Sequence, residues 1–172
     1  MIAIKQISSN LNDIRLPNEP FKVWGRMVPS LQDGKWDYDI QKFQQVETMC
    51  FPNEAYTFDK SKIYLGAYNE QGECIGLALL EKNSFNYLYL ADLKINNAYR
   101  NKGIGKKLIS ACLKTAKQNK FSGVHTIGQD NNLSACLFYL RAGFEIGGFD
   151  NHIYNGSSQA GKADIHFYQN CK

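Results

Sequence analysis

Two glycines and several cations stand together in Arg100-Asn101-Lys102-Gly103-Ile104-Gly105-Lys106, directly ahead of an amphipathic run. Glycine lets main-chain amides approach a ligand closely, and the free N–H groups and positive dipole at a helix start favour an anion, a phosphate above all. Lys102, Lys106 and Lys107 add positive charge at the same place. The stretch reads as a pyrophosphate cradle, against the plainer reading of a strand–turn–helix connection with incidental glycines. Two common nucleotide cradles fit badly. A P-loop needs Ser or Thr after its Gly-Lys pair, and Gly105-Lys106 is followed by Lys107. A Rossmann turn wants a third glycine at position 108, which is leucine, and an acidic residue about 20 positions on, where Val124, His125 and Thr126 stand.

A strand must lead into this cradle. Leu88, Leu90, Leu93 and Ile95 are apolar with aromatics interleaved, and Asn96-Asn97 turns the chain before Arg100. A helix over 104–118 then places Ile104, Leu108, Ile109, Cys112, Leu113 and Ala116 on one face, and 119–123 ends it with Gly123 as a turn residue. Residues 124–127 form the next strand, parallel to the Leu88 strand because a helical crossover joins them. Asp130-Asn131-Asn132 supplies caps for a second helix over 133–142, closed by Gly143. Strands over 144–149 and 163–169 make a hairpin around a loop at 155–161.

Earlier in the chain, residues 2–7 read as a strand and 8–20 as polar and turn-rich. A short strand at 21–27 is interrupted by Pro29 and Gln32-Asp33-Gly34. Mixed periodicity over 39–48 is assigned to a helix. Residues 62–68 and 74–80 form a β-hairpin about a turn at 69–73, and Asn83-Ser84-Phe85-Asn86 turns the chain into the Leu88 strand. These strands make an antiparallel meander.

With 172 residues, 44% hydrophobic and 21% charged, the composition is that of one soluble globular domain able to bury a core. The expected location is the cytoplasm: the N-terminus lacks the apolar run of a signal peptide, and no later run could span a bilayer. Cys50, Cys74, Cys112, Cys136 and Cys171 show no metal-ligand spacing and suggest reduced, mostly buried thiols. The net charge of +4 comes without a dense basic run, so nucleic acid is not an expected partner.

A second pattern sits on the second predicted helix: Asn132, Ala135, Phe138-Tyr139 and Gly143-Phe144. Taken alone, Tyr139 reads as a core aromatic beside Phe138. Together with Arg-x-x-Gly-x-Gly after a strand, the pattern resembles the two signatures of the GNAT superfamily of N-acetyltransferases. The resemblance implies an α/β fold: a mixed, mostly antiparallel central sheet with a splayed parallel strand pair and helices on both faces. It implies a single domain over 1–172, with an acceptor-side part at 1–60, a cofactor-binding core at 61–150 and a C-terminal hairpin at 151–172. It further implies acetyl-CoA as co-substrate, no metal, and transfer of the acetyl group to a primary amine of a small molecule by a monomer or homodimer. The pantetheine arm would lie between the Leu88 and Val124 strands. By the same resemblance Leu93, Lys94, Ile95, Arg100, Asn101, Lys102, Gly103, Ile104, Gly105, Lys106, Asn132 and Tyr139 hold the cofactor.

More narrowly, the chain is similar to the streptothricin acetyltransferases through Pro17-Asn18-Glu19-Pro20-Phe21, Gln129-Asp130-Asn131-Asn132 and Ile146-Gly147-Gly148-Phe149-Asp150. That similarity implies a streptothricin-type antibiotic as acceptor and resistance as the role. Two departures touch the acceptor side. Ala91-Asp92 stands where those relatives tend to have Glu-Asp, and the final strand carries His166-Phe167-Tyr168 where theirs is richer in Trp.

The resemblance implies direct attack of the amine on the thioester, with no acyl-enzyme. Tyr139 is by analogy the acid for the departing thiolate, and a main-chain N–H on residues 93–95 is the oxyanion donor. The base stays open. Ala91 removes the favoured carboxylate and Asp92 is expected on the opposite strand face by alternation, so water, Glu54 or Glu81 are the candidates. His125, His152 and His166 lack metal-ligand spacing; His125 and His166 fall in strands as structural residues, and His166 is also the one to test for acceptor binding. A catalytically weak acyl-CoA sensor, or a transferase for a polyamine or peptide amine, are the competing functions.

Overall fold

Alternating apolar runs separated by Asn, Asp and Gly turns make strand the commonest element of this chain. In the computed structural model the elements in order are β1 (Ala3–Gln6), α1 (Leu11–Ile14), β2 (Phe21–Gln32), β3 (Lys35–Met49), β4 (Ile63–Tyr68), β5 (Cys74–Ser84) and β6 (Tyr87–Ile95). A 3-10 turn (Asn97–Tyr99), α2 (Ile104–Gln118), β7 (Gly123–Gln129), α3 (Leu133–Arg141), β8 (Glu145–Asp150) and β9 (Asp164–Asn170) follow. Residues 1–172 are described, Asn83 only as a position in β5. The chain divides into two units, one of Met1–Glu19, Phe51–His125 and Asn170–Lys172, the other of Pro20–Cys50 and Thr126–Gln169.

In the first unit β1, β4, β5 and β6 pair in that order, antiparallel throughout. The start of β7 follows β6 in the strand order, and the α2 crossover makes that pair parallel, as expected. Cys74-Ile75-Gly76-Leu77-Ala78-Leu79-Leu80 is apolar almost without alternation because both its faces are covered. Leu77 and Leu79 join Ile7, Ile14 and Tyr64 on one face. On the other, α2 comes so close that a Cβ at Gly76 would stand 3.2 Å from Leu108 Cδ1. The buried face of α2 is Ile104, Gly105, Leu108, Ile109, Cys112 and Ala116, with Leu113 only half-buried. The left-handed residue after α2 is Lys120 (φ 63°), and Gly123 already opens β7. The turn into β6 narrows to Phe85-Asn86, with Phe85 at φ 46°; the Asn83 side chain lies outside the described residues.

The second unit corrects the helix expected over 39–48. Those residues belong to β3, paired antiparallel with β2 through a two-residue Asp33-Gly34 turn with φ 49° and 75°. Positive φ at both positions is the turn whose twist suits a hairpin. The register jumps from Val23 opposite Glu47 to Gly25 opposite Lys42, so β3 carries extra residues beside Trp24. That bulge breaks the alternation of Trp36, Tyr38 and Ile40 and makes the run look helical in sequence. Pro29 lies within β2, which a two-stranded ribbon tolerates because each strand is an edge. The remaining strands of this unit run in the order β7, β9, β8, with β8 and β9 antiparallel. α3 sits tightly on β7, where a Cβ at Gly128 would be 3.0 Å from Cys136 Sγ.

Candidate active site

The cradle is built from main chain. α2 begins at Gly103, whose φ of 77° is left-handed and which has no side-chain cap. Lys107 N–H reaches back to Gly103 O at 3.2 Å, so the amides of Ile104, Gly105 and Lys106 precede the first intrahelical bond and have no acceptor within α2. Asn101 is left-handed as well, at φ 59°. Successive amides in such a turn, at the positive end of a 15-residue helix, suit a diphosphate. The predicted cations divide into two roles. Arg100 Nε donates to Ile95 O at 3.1 Å, and Lys102 Nζ donates to Ala98 O at 2.9 Å while lying over the Tyr99 ring. These side chains brace the turn, whereas Lys106 and Lys107 stay exposed at the helix start.

β6 holds a bulge that sequence alternation could not show. Leu79 stands opposite Asp92 while Leu80 stands opposite Leu90, leaving Ala91 without a partner. Ala91 packs against the Leu77–Leu79–Tyr64 cluster, and Asp92 turns toward Tyr56, which packs against the same cluster. The expected opposition of Ala91 and Asp92 is therefore corrected: the extra residue cancels one alternation. Asp92 Oδ2 accepts from Tyr56 Oη at 3.0 Å and from Lys94 Nζ at 3.0 Å. Lys94 is only 8% exposed and also donates to Leu16 O at 3.3 Å. Burial pushes the Asp92 carboxyl up and the Lys94 ammonium pulls it back, while burial and the Asp92 charge hold the Tyr56 phenol well above its ordinary value. Beyond the bulge, Leu93, Lys94 and Ile95 run opposite Ala78, Leu77 and Gly76. Only the main chain of Lys94 is left to meet a ligand.

In the second unit, Asn132 Oδ1 caps α3 by accepting from Ala135 N–H at 3.4 Å. Tyr139 is 9% exposed, with Phe138, Phe144 and Phe167 ring centroids each 5.5 Å from its own. The structure thus gathers the cradle and residues 93–95 in the first unit, and Asn132 with Tyr139 on α3 in the second. Sequence reading missed a cavity of about 590 Å³ in the second unit, walled by Arg26, Phe43, Glu47, Met49, Asn131 and Lys162. The helix expected over 39–48 hid it, since Phe43 and Glu47 line the wall from β3. Beside Arg26, the buried Asp130 accepts from Ala163 N–H at 3.1 Å, and burial pushes its carboxyl up.

Glu81 pairs with Lys62 at 2.7 Å. His125 is buried, with Nδ1 2.8 Å from Ser84 Oγ and its ring against Tyr89. His152 is exposed beside Asn151, and His166 is half-buried in β9. Burial pushes the Cys112 and Cys136 thiols up to about 12 and Cys74 to about 11, so none is a thiolate nucleophile at neutral pH. The thiols expected to be mostly buried divide otherwise: Cys112 and Cys136 are buried, Cys74 and Cys171 half-buried, and Cys50 exposed.

The family model described as Acetyltransferase (GNAT) family matches residues 29–144. Streptothricin acetyltransferase A of Bacillus subtilis (strain 168) is 32% identical over 169 residues, covering 96% of this chain and 97% of that protein. A streptothricin acetyltransferase of Escherichia coli is 28% identical over 101 residues, covering 59% and 58%. A crystal structure from Bacillus anthracis str. Ames, assigned to a streptothricin acetyltransferase and solved in complex with acetyl coenzyme A, superposes with a TM-score of 0.88 at 28% identity over 99% of both chains. Nourseothricin acetyltransferase shares the fold, with a TM-score of 0.82 at 17% identity over 99% of both chains.

Proposed function

The chain belongs to the GNAT acetyltransferase family and is an acetyl-CoA-dependent N-acetyltransferase; on that premise we propose that its acceptor is a primary amine of a streptothricin-type antibiotic. One observation carries the acceptor: the 32% identity to the Bacillus subtilis streptothricin acetyltransferase runs over 96% of the chain, acceptor-side segments included, beyond the cofactor motifs.

In this reading the amides of Ile104, Gly105 and Lys106 grip the diphosphate of acetyl-CoA. The amine nitrogen attacks the thioester carbon, and a main-chain N–H of residues 93–95 holds the developing oxyanion. The C–S bond breaks as the N–C bond forms, and Tyr139 gives its proton to the departing thiolate. Asn132 contributes by fixing the start of the helix that bears Tyr139. The reaction runs in the cytoplasm, in keeping with five free cysteines that include the exposed Cys50.

Free-thiol release from acetyl-CoA, measured across streptothricin, polyamines, aminoglycosides and peptide amines, tests the reading. Streptothricin should give the highest kcat/KM. A polyamine or peptide preferred over it by more than about tenfold would reassign the acceptor, and cofactor binding without turnover on every amine would overturn the enzymatic reading.

A further inference from the structure

The attacking amine is an ammonium in water at neutral pH and must lose a proton, and the alanine at position 91 of β6 cannot take it. The bulge at that alanine brings the next residue round to the same side. There a closed ring of contacts fixes three separate stretches of chain. Arg15 Nε donates to Tyr56 O at 2.7 Å, Tyr56 Oη donates to Asp92 Oδ2 at 3.0 Å, and Lys94 Nζ joins Asp92 Oδ2 to Leu16 O. The exposed Glu54 faces the phenol from the solvent side. Asp92 and Tyr56 are hydrogen-bonded, the exposed Glu54 acts on both, and Asp92 stands one residue before the segment 93–95.

We propose, resting on the transferase reading above, that Asp92 takes the proton from the acceptor ammonium, that Tyr56 and Glu54 carry it to solvent, and that Lys94 keeps Asp92 ionised for the purpose. The N–H bond breaks as an O–H bond forms on Asp92. Once Asp92 is protonated, the Tyr56 O–H turns from it toward Glu54, the phenol oxygen accepts the proton of Asp92 and releases its own to Glu54, and Glu54 gives it to water. No oxidation state changes. Asp92 has the properties the task requires: ionised beside Lys94, yet destabilised enough by burial to be a better base than an exposed aspartate. The other candidate, Glu81, is held by Lys62. The charged and titratable groups facing Asp92 are Lys94 on its own strand and Tyr56 and Glu54 on the segment ahead of β4.

The test is the pH profile of kcat/KM for acetyl transfer to a primary amine, with calorimetric titration of acetyl-CoA into each variant. Asp92→Asn should lower kcat/KM by about 10²–10⁴-fold while cofactor affinity stays within about threefold, and Asp92→Glu should restore part of the rate. Lys94→Met removes the charge that lowers the Asp92 pKa. Since the base must be ionised, the acid limb should move to higher pH, a shift that damage to the fold alone would not produce. Tyr56→Phe should move it the same way, with a smaller fall in rate. Near-wild-type kcat/KM in a folded, cofactor-binding Asp92→Asn enzyme overturns the proposal, as does an acid limb that ignores Lys94→Met. If the wild-type protein itself turns over no amine, the transferase reading fails and this one with it.

Discussion

Replacing Gly103 with alanine isolates the backbone's share of cofactor binding. Gly103 holds φ 77°, and a Cβ there would meet nothing within 4 Å, so alanine introduces no clash. What it introduces is the left-handed penalty of an L-residue, about 1–2 kcal/mol. That strain must appear in one of two measurements. A loop that keeps its shape makes the folded protein bear the strain, lowering Tm by about 2–4 °C per kcal/mol in a chain of this size. A loop that relaxes spares the fold, and acetyl-CoA must then restore the strained conformation at about 5–30-fold weaker affinity. The two losses should sum to the same 1–2 kcal/mol. Asparagine tolerates this region better, as Asn101 at φ 59° already illustrates, so Gly103→Asn should recover much of the loss. Melting curves with and without cofactor, paired with calorimetric Kd values, give both terms. An alanine variant with unchanged Tm and unchanged Kd would refute the claim that left-handed backbone shapes the cradle.

Tyr139→Phe retains the ring packed among Phe138, Phe144 and Phe167, so Tm should change little, while kcat falls about 10²-fold or more and acetyl-CoA affinity holds; an unchanged kcat removes the phenol from the mechanism. Gly25→Ala forces a Cβ to 2.6 Å from Gln41 O and 3.2 Å from Leu133 Cδ2, and denaturant titration should show a loss of about 1–3 kcal/mol. Asp130→Asn removes a buried charge but keeps an acceptor for Ala163 N–H. Because burial raises the folded pKa, wild-type stability from this group declines as pH rises from the unfolded pKa of about 3.9 through the folded value. The stability of Asp130→Asn relative to wild type should therefore increase from pH 4 to pH 7 in urea titrations, and a flat difference would exclude the effect.

Much of the fold is legible in local pattern. The β4–β5 hairpin, the amphipathic face of α2, the caps at Asn132 and the glycine-opened start of α2 are all set by residues within a turn or two of one another, where sequence spacing and spatial neighbourhood coincide. The same holds for the turn at the start of α2, whose amides lack an acceptor within the helix and need only a glycine at a helix start. The short α1 carries too few residues for a periodic signal, although Asn10 caps it. β3 fails for a different reason: its identity depends on pairing with β2, and the bulge beside Trp24 scrambles the alternation by which a strand is recognised.

What the sequence determined by itself was the chemistry available and its order along the chain: glycine-freed amides at a helix start, a phenol on the following helix, and a strand with alanine at position 91. Only the tertiary structure decided which side chains face one another. The Arg100 and Lys102 side chains donate to the main-chain oxygens of Ile95 and Ala98, and one unpaired residue in β6 swings Asp92 onto the side of Tyr56 and Lys94. Period-two arithmetic cannot anticipate that, because a bulge is set by the partner strand and by packing across it, and those contacts join residues that are far apart in sequence.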